Sequence, residues 1–192
     1  MASQLEICNL ALSWIGGKRI SDLAENSVEA QLVSTNYPMS RDAVLAARMW
    51  TFATKTATPS PTVGTPPVPW AFMYQIPADC LRVFRVVDGN QLPIPWVRQG
   101  AFVLCNADAI IMVYVSQVLD TSQFSPGLVQ ALAARMAADL AVTYTENRSL
   151  QADLWKIYDE KMKEAAAVDG SQGRSDQINR NKPTYLGMRR YT

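Results

Sequence analysis

Leu81-Arg82-Val83-Phe84-Arg85-Val86-Val87, followed at once by Asp88-Gly89-Asn90, is the stretch that decides the class of the fold. The first part alternates and is rich in β-branched and aromatic side chains, so it reads as a strand. Asp-Gly-Asn is a turn signal. Similar short runs lie on both sides. Ala71-Phe72-Met73-Tyr74-Gln75-Ile76 precedes it. Residues 94–97 form a short edge piece flanked by Pro93 and Pro95. Phe102-Val103-Leu104-Cys105 and residues 109–115 follow, separated by Asn106-Ala107-Asp108. Connections this short predict an antiparallel meander of about four strands.

Upstream, residues 56–69 hold five prolines and a glycine, which forbid helix and regular sheet. They predict an extended, partly polyproline loop. Beyond it, the chain reads as helix. Ser3-Gln4-Leu5-Glu6 is a capping-box pattern, and Leu5, Cys8, Leu12 and Ile15 continue at helical spacing until Gly16-Gly17. Ile7, Leu10, Ala11 and Trp14 give this helix a second apolar face, which calls for neighbours on two sides. Asn26 with Glu29 offers a second capping box for a helix over residues 27–48, which Pro38 should kink or split. Its second half places Ala43, Ala47 and Trp50 on one side, with Arg41, Asp42 and Arg48 on the wetter one.

Downstream, Ser125-Pro126 is a helix start, serine capping and proline in the first turn. Leu128, Leu132, Met136 and Leu140 share a face, and the surrounding alanines allow close packing. Asn147-Arg148-Ser149 breaks the run, and a last helix carries Leu150, Leu154, Ile157, Tyr158, Met162 and Ala165 up to Gly170. The expected architecture is α+β. Residues 1–55 and 120–170 form a four-helix bundle, and residues 56–119 a proline-rich loop and β meander inserted in it. Residues 170–192 form an extended C-terminal arm. That arm carries Arg174, Arg180, Lys182, Arg189 and Arg190 against Asp176 alone, so it cannot fold by itself. Tyr185, Leu186, Met188 and Tyr191 nevertheless give it apolar anchors, the mark of a segment that orders on a partner.

Composition narrows the function. Of the 192 residues, 48% are hydrophobic and 18% charged, enough for a packed core. A net charge of +1 disfavours strong nonspecific duplex binding, which needs many cations against phosphate. The start of the chain lacks a basic region followed by an apolar run, and no apolar stretch is long enough to span a membrane. The protein is therefore expected to be made and folded in a cytoplasm. Cys8, Cys80 and Cys105 are far apart and odd in number, which suits reduced, buried thiols. There is no histidine, hence no Ser-His or Cys-His pair and no imidazole ligand. Asp153, Asp159, Glu160 and Glu164 alternate with Lys156, Lys161 and Lys163, with Glu160 one turn from Lys156; this reads as a solvated, ion-paired face. No phosphate-binding or metalloprotease motif occurs. No catalytic residue, metal or cofactor is expected.

The candidate contact residues are aromatic and basic. Trp50, with Phe52, is either an interface anchor or a core residue sealing the junction of helix and sheet. Trp70 and Trp96 flank the β region beside prolines and suit either role. Arg82 and Arg85 have odd spacing on a strand, which points them to opposite faces; one of them is a candidate for a neighbour's carboxylate.

Several segments together resemble tail tubular protein A, the head-to-tail adaptor of short-tailed phages. They are Leu10-Ala11-Leu12-Ser13-Trp14-Ile15-Gly16, Ile20-Ser21-Asp22-Leu23, Tyr37-Pro38 with Arg41-Asp42, and Trp50-Thr51-Phe52-Ala53. Residues 74–83, residues 132–141 and Asn147-Arg148-Ser149-Leu150 are similar to its later parts. The resemblance covers about residues 5–170, and its order and spacing are more specific than any one motif. It implies a twelve-subunit ring between the portal and the tail nozzle, through which DNA passes, with tail fibres or spikes attached nearby in some phages. It implies a homo-oligomer placed in the virion neck. The arm matches less well. By its chemistry, Lys182, Tyr185, Leu186, Met188, Arg189, Arg190 and Tyr191 would dock on the portal or on a neighbouring subunit. Two other functions remain open: a tail glycan-degrading enzyme using two carboxylates, and a nucleic-acid-binding protein using the basic arm.

Overall fold

A computed structural model of the protein describes residues 2–172, without the side chain of Gln172. Among these residues the fold is mixed, with four helices and two small antiparallel sheets. The arm residues named above, Lys182 to Tyr191, lie outside the described part.

Helix α1 (Gln4–Trp14) opens with the expected box: the Ser3 hydroxyl accepts from the Glu6 amide, and the Glu6 carboxylate accepts from the Ser3 amide. It closes where Gly16 turns to φ 72°, letting the Gly17 N–H reach the Leu12 carbonyl at 2.8 Å. Helix α2 (Val28–Ala46) is capped by Ser27, one residue later than the sequence suggested, and Glu29 instead accepts from the Tyr144 hydroxyl. It runs unbroken through Pro38. Arg41 is buried, not wet, lying over the Tyr37 ring with its Nε on Asp42.

Helix α3 (Pro126–Thr145) starts at Ser125 as expected. Helix α4 (Arg148–Gln172) runs through Gly170, which does not stop it. Among the helices α3 is central: α1, α2 and α4 all pack on it, and α4 packs chiefly there. Its alanines permit this. Ala131, Ala133, Ala134, Ala137, Ala138 and Ala141 are fully buried, and a Cβ on Gly127 would stand 3.2 Å from Ala165 of α4.

The β region departs from a four-strand meander. Among the described residues there are six strands: β1 (Thr54–Ala57), β2 (Phe72–Gln75), β3 (Cys80–Asp88), β4 (Trp96–Gln99), β5 (Phe102–Cys105) and β6 (Ile110–Ser116). One sheet has the order β1-β6-β3 and the other β2-β5-β4. Only β4 and β5 are a simple hairpin, turning at Gly100 with φ 59°. Strand β1 crosses the expected boundary between bundle and loop, because polar Thr-Lys-Thr pairs with β6 at a sheet edge, where no alternation is required. The two sheets pack face to face. Val83, Val86, Ile110, Met112 and Tyr114 from one share a core with Tyr74, Val103 and Cys105 from the other. Val115 of β6 joins the helical core on the opposite side, with Leu81 and Phe84 packed against it. Strand β6 is thus the partition between two cores, and its pattern is almost wholly buried.

Candidate assembly surfaces

The first surface is built by an irregularity in β3. Val83 pairs with Tyr114, but Arg85 pairs with Val113, so Phe84 is an extra residue in the ladder. Arg82 pairs with Val115. Its partner and that of Arg85 are two residues apart on β6, which puts both arginines on the same face. The sequence expectation of opposite faces is corrected by this bulge. Both side chains are exposed. Arg82 lies over the Phe84 ring, 4.6 Å from its centroid, and donates to the Ala46 carbonyl at the end of α2. Arg85 makes no ion pair with any described residue. Across β6, Thr56 of β1 is exposed on the same face. The result is a dibasic face suited to carboxylates or phosphates.

The second surface is apolar and was not singled out from sequence. Val28, Leu32, Thr35 and Met39 fall on one side of α2 at spacings of four, three and four. Val28 is 66% exposed and Met39 65%. With Gln31, Asn36 and the buried Leu140 of α3 they line a groove of about 350 Å³. Helical periodicity alone would have found this stripe.

Of the tryptophans, Trp50 is a core residue and presents no surface. It is 1% exposed, and its indole N–H donates to the Val44 carbonyl at 3.1 Å. Phe52 links it to Phe124 through ring contacts of 6.4 and 5.9 Å, and Arg48 lies over its ring at 4.9 Å. An interface role for Trp50 is therefore corrected. Trp70 and Trp96 are half-buried, the latter packed against the core between the sheets.

Several carboxylates are engaged in the structure of the fold. Asp79 accepts from Lys55 at 2.7 Å and from the Tyr114 hydroxyl at 3.2 Å, tying β1, β6 and the turn before β3 together. The Lys55 ammonium holds the Asp79 carboxyl below the ordinary carboxylate range, and the Tyr114 hydroxyl adds to this. Asp88 accepts from the amides of Asn90 and Leu92 in its own turn. On α4, Lys156 pairs with Asp153, not with Glu160, and Lys161 pairs with Glu164. Among the described residues no cluster of His, Cys, Asp or Glu could hold a metal ion. No described helix is long and apolar enough to cross a membrane. The three cysteines are free; burial pushes the Cys8 thiol up to about 12. Comparison of the chain with models of protein families and with curated proteins finds no match.

Proposed function

We propose that the chain is a structural head-to-tail adaptor subunit of a short-tailed phage. It forms a homo-oligomeric ring between portal and tail nozzle, one copy for each portal subunit, with DNA passing through the channel. It is synthesised in the host cytoplasm and ends in the neck of the virion, where fibres or spikes can attach. In this reading the helices form the bundle of the ring body and the β region is its insertion. Its role is assembly, not catalysis.

The observation that carries the reading is the presence of two unlike surfaces on one small chain. The α2 groove is apolar, and the face of Arg82 and Arg85 is cationic. A ring subunit has lateral neighbours and axial partners, so it needs more than one contact surface; an apolar groove and a cationic face do not complement each other and serve different partners. The resemblance over residues 5–170 supports the same reading independently.

The test is co-sedimentation with purified portal rings of the parent phage. The native chain pellets with the rings, whereas the double variant Arg82→Glu, Arg85→Glu stays at least ten-fold more in the supernatant while melting as the native protein does. A native chain that never pellets overturns the proposal. Assays for polysaccharide cleavage and for salt-sensitive DNA affinity then become the next steps.

A further inference from the structure

We propose that residues 58–71 of one copy, the proline-rich loop between β1 and β2, dock in the α2 groove of the next copy, a contact that rests on the ring reading and supplies its lateral joint. Groove and loop both stand open on the same chain. The groove shows Val28 and Met39 to water, with Leu32 between them. On the loop, Val63 is 99% exposed and Val68 95%. No charged residue lies between Lys55 and Asp79, so no ionised side chain of the loop shields these valines. Apolar surfaces of this kind call for a cover.

The two match in charge, hydrogen bonding, length and order. The polar lining of the groove is Gln31, Thr35 and Asn36, so neither side has an ion to strip of water. These side chains can donate hydrogen bonds. The loop is rich in acceptors, because its prolines carry carbonyls but no N–H. Eleven steps of helix rise set Val28 and Met39 about 16 Å apart along α2. Five steps of polyproline rise hold Val63 and Val68 within about 16 Å of each other, so the loop tip fits the length of the groove. The loop is also held ready. The Thr62 N–H donates to the Met73 carbonyl at 2.8 Å, and the Trp70 N–H to the Pro67 carbonyl at 3.0 Å. Gly64 lies so close to β2 that a Cβ there would stand 2.5 Å from Met73 Cε. A loop already fixed by prolines and by its base loses little freedom on docking. All the lining of the groove comes from α2 and α3, so the loop does not fill the groove of its own chain. A contact between two unlike sites is heterologous and repeats head to tail, the geometry from which a ring closes.

Complementation between two variants of the full chain tests this without any portal. Met39→Asp spoils the groove, and Val63→Asp with Val68→Asp spoils the loop; all three positions are exposed, and both variants are expected to melt as the native chain does. In sedimentation velocity at hundreds of micromolar, the native chain self-associates, and each variant alone does so at least ten-fold more weakly. Mixing the two restores association and stops it at the dimer, since one intact groove and one intact loop remain. Cross-linking gives a second readout that needs no loss of function. Chains carrying Met39→Cys and chains carrying Val63→Cys, mixed under mild oxidation, join at least ten-fold faster than Val63→Cys chains mixed with chains carrying Val168→Cys on α4. A native chain that stays monomeric, a loop variant that associates as the native chain does, a mixture that stays monomeric, or equal cross-linking of the two pairs overturns the proposal. Portal co-sedimentation is scored separately: a chain that pellets with portal rings but fails here keeps the adaptor reading and loses only this joint.

Discussion

Burying an indole strips its N–H of water, and at Trp50 the chain offsets this with the Val44 carbonyl, six residues back. The ring then joins Phe52 and Phe124 in the helical core. Trp50→Ala should therefore lower unfolding stability by about 3–5 kcal/mol, read as a shifted urea midpoint. A loss below about 1 kcal/mol would mean the site is not packed as described. At this scale the sequence was informative about residue type and poor about direction. Aromatic residues at the end of α2 were legible as either core or contact, because burial depends on what the chain brings over them. The facing of Arg82 and Arg85 was misread because a period of two holds only in a regular strand. Phe84 inserts one residue, and nothing in the local spelling of Arg-Val-Phe-Arg announces it.

Local signals served best at helix ends, where the chemistry is contained within a few residues. Ser3 with Glu6, Gly16 and Ser125 with Pro126 all act as read. They failed where a long-range contact decided the outcome. Glu29 is drawn to Tyr144 rather than to a cap, and α4 continues past Gly170. The end of α3 is a place where the sequence is locally unfavourable. Glu146 adopts φ 54° and ψ 15°, a left-handed conformation that costs a side chain roughly 1 kcal/mol relative to glycine. Its N–H still closes on the Val142 carbonyl, so glycine there would keep the bond and relieve the strain. Glu146→Gly should raise stability by about 0.5–1 kcal/mol in chemical denaturation. A destabilisation of that size would show that the Glu146 side chain has a role of its own.

For the whole molecule, the class of the fold was legible: helices at both ends of the described residues, antiparallel strands between. The pairing of strands was not. Order β1-β6-β3 joins residues far apart in sequence, and short polar β1 has no periodic signature to reveal it. The two cores also share a titration property. Burial pushes the phenols of Tyr37, Tyr74 and Tyr114 up to about 12, and the Cys8 thiol likewise. In the unfolded chain tyrosine ionises near about pH 10. Stability from the three tyrosines is full below that value, and that from Cys8 is full only below the thiol's ordinary value near about 8.5; both are lost as pH rises towards 12, since the unfolded state sheds protons that the folded state keeps. Urea midpoints should fall steadily between pH 10 and 12; a flat profile there would contradict the burial of these side chains.

The proposed ring draws on two unlike surfaces of each subunit, and the mass of the complex formed with portal rings measures its assembly directly. Native mass spectrometry of the mixture is predicted to give one discrete species holding one chain of this protein for each portal subunit. Free portal and free chain with no joint species, or a joint species of scattered stoichiometry, would contradict it.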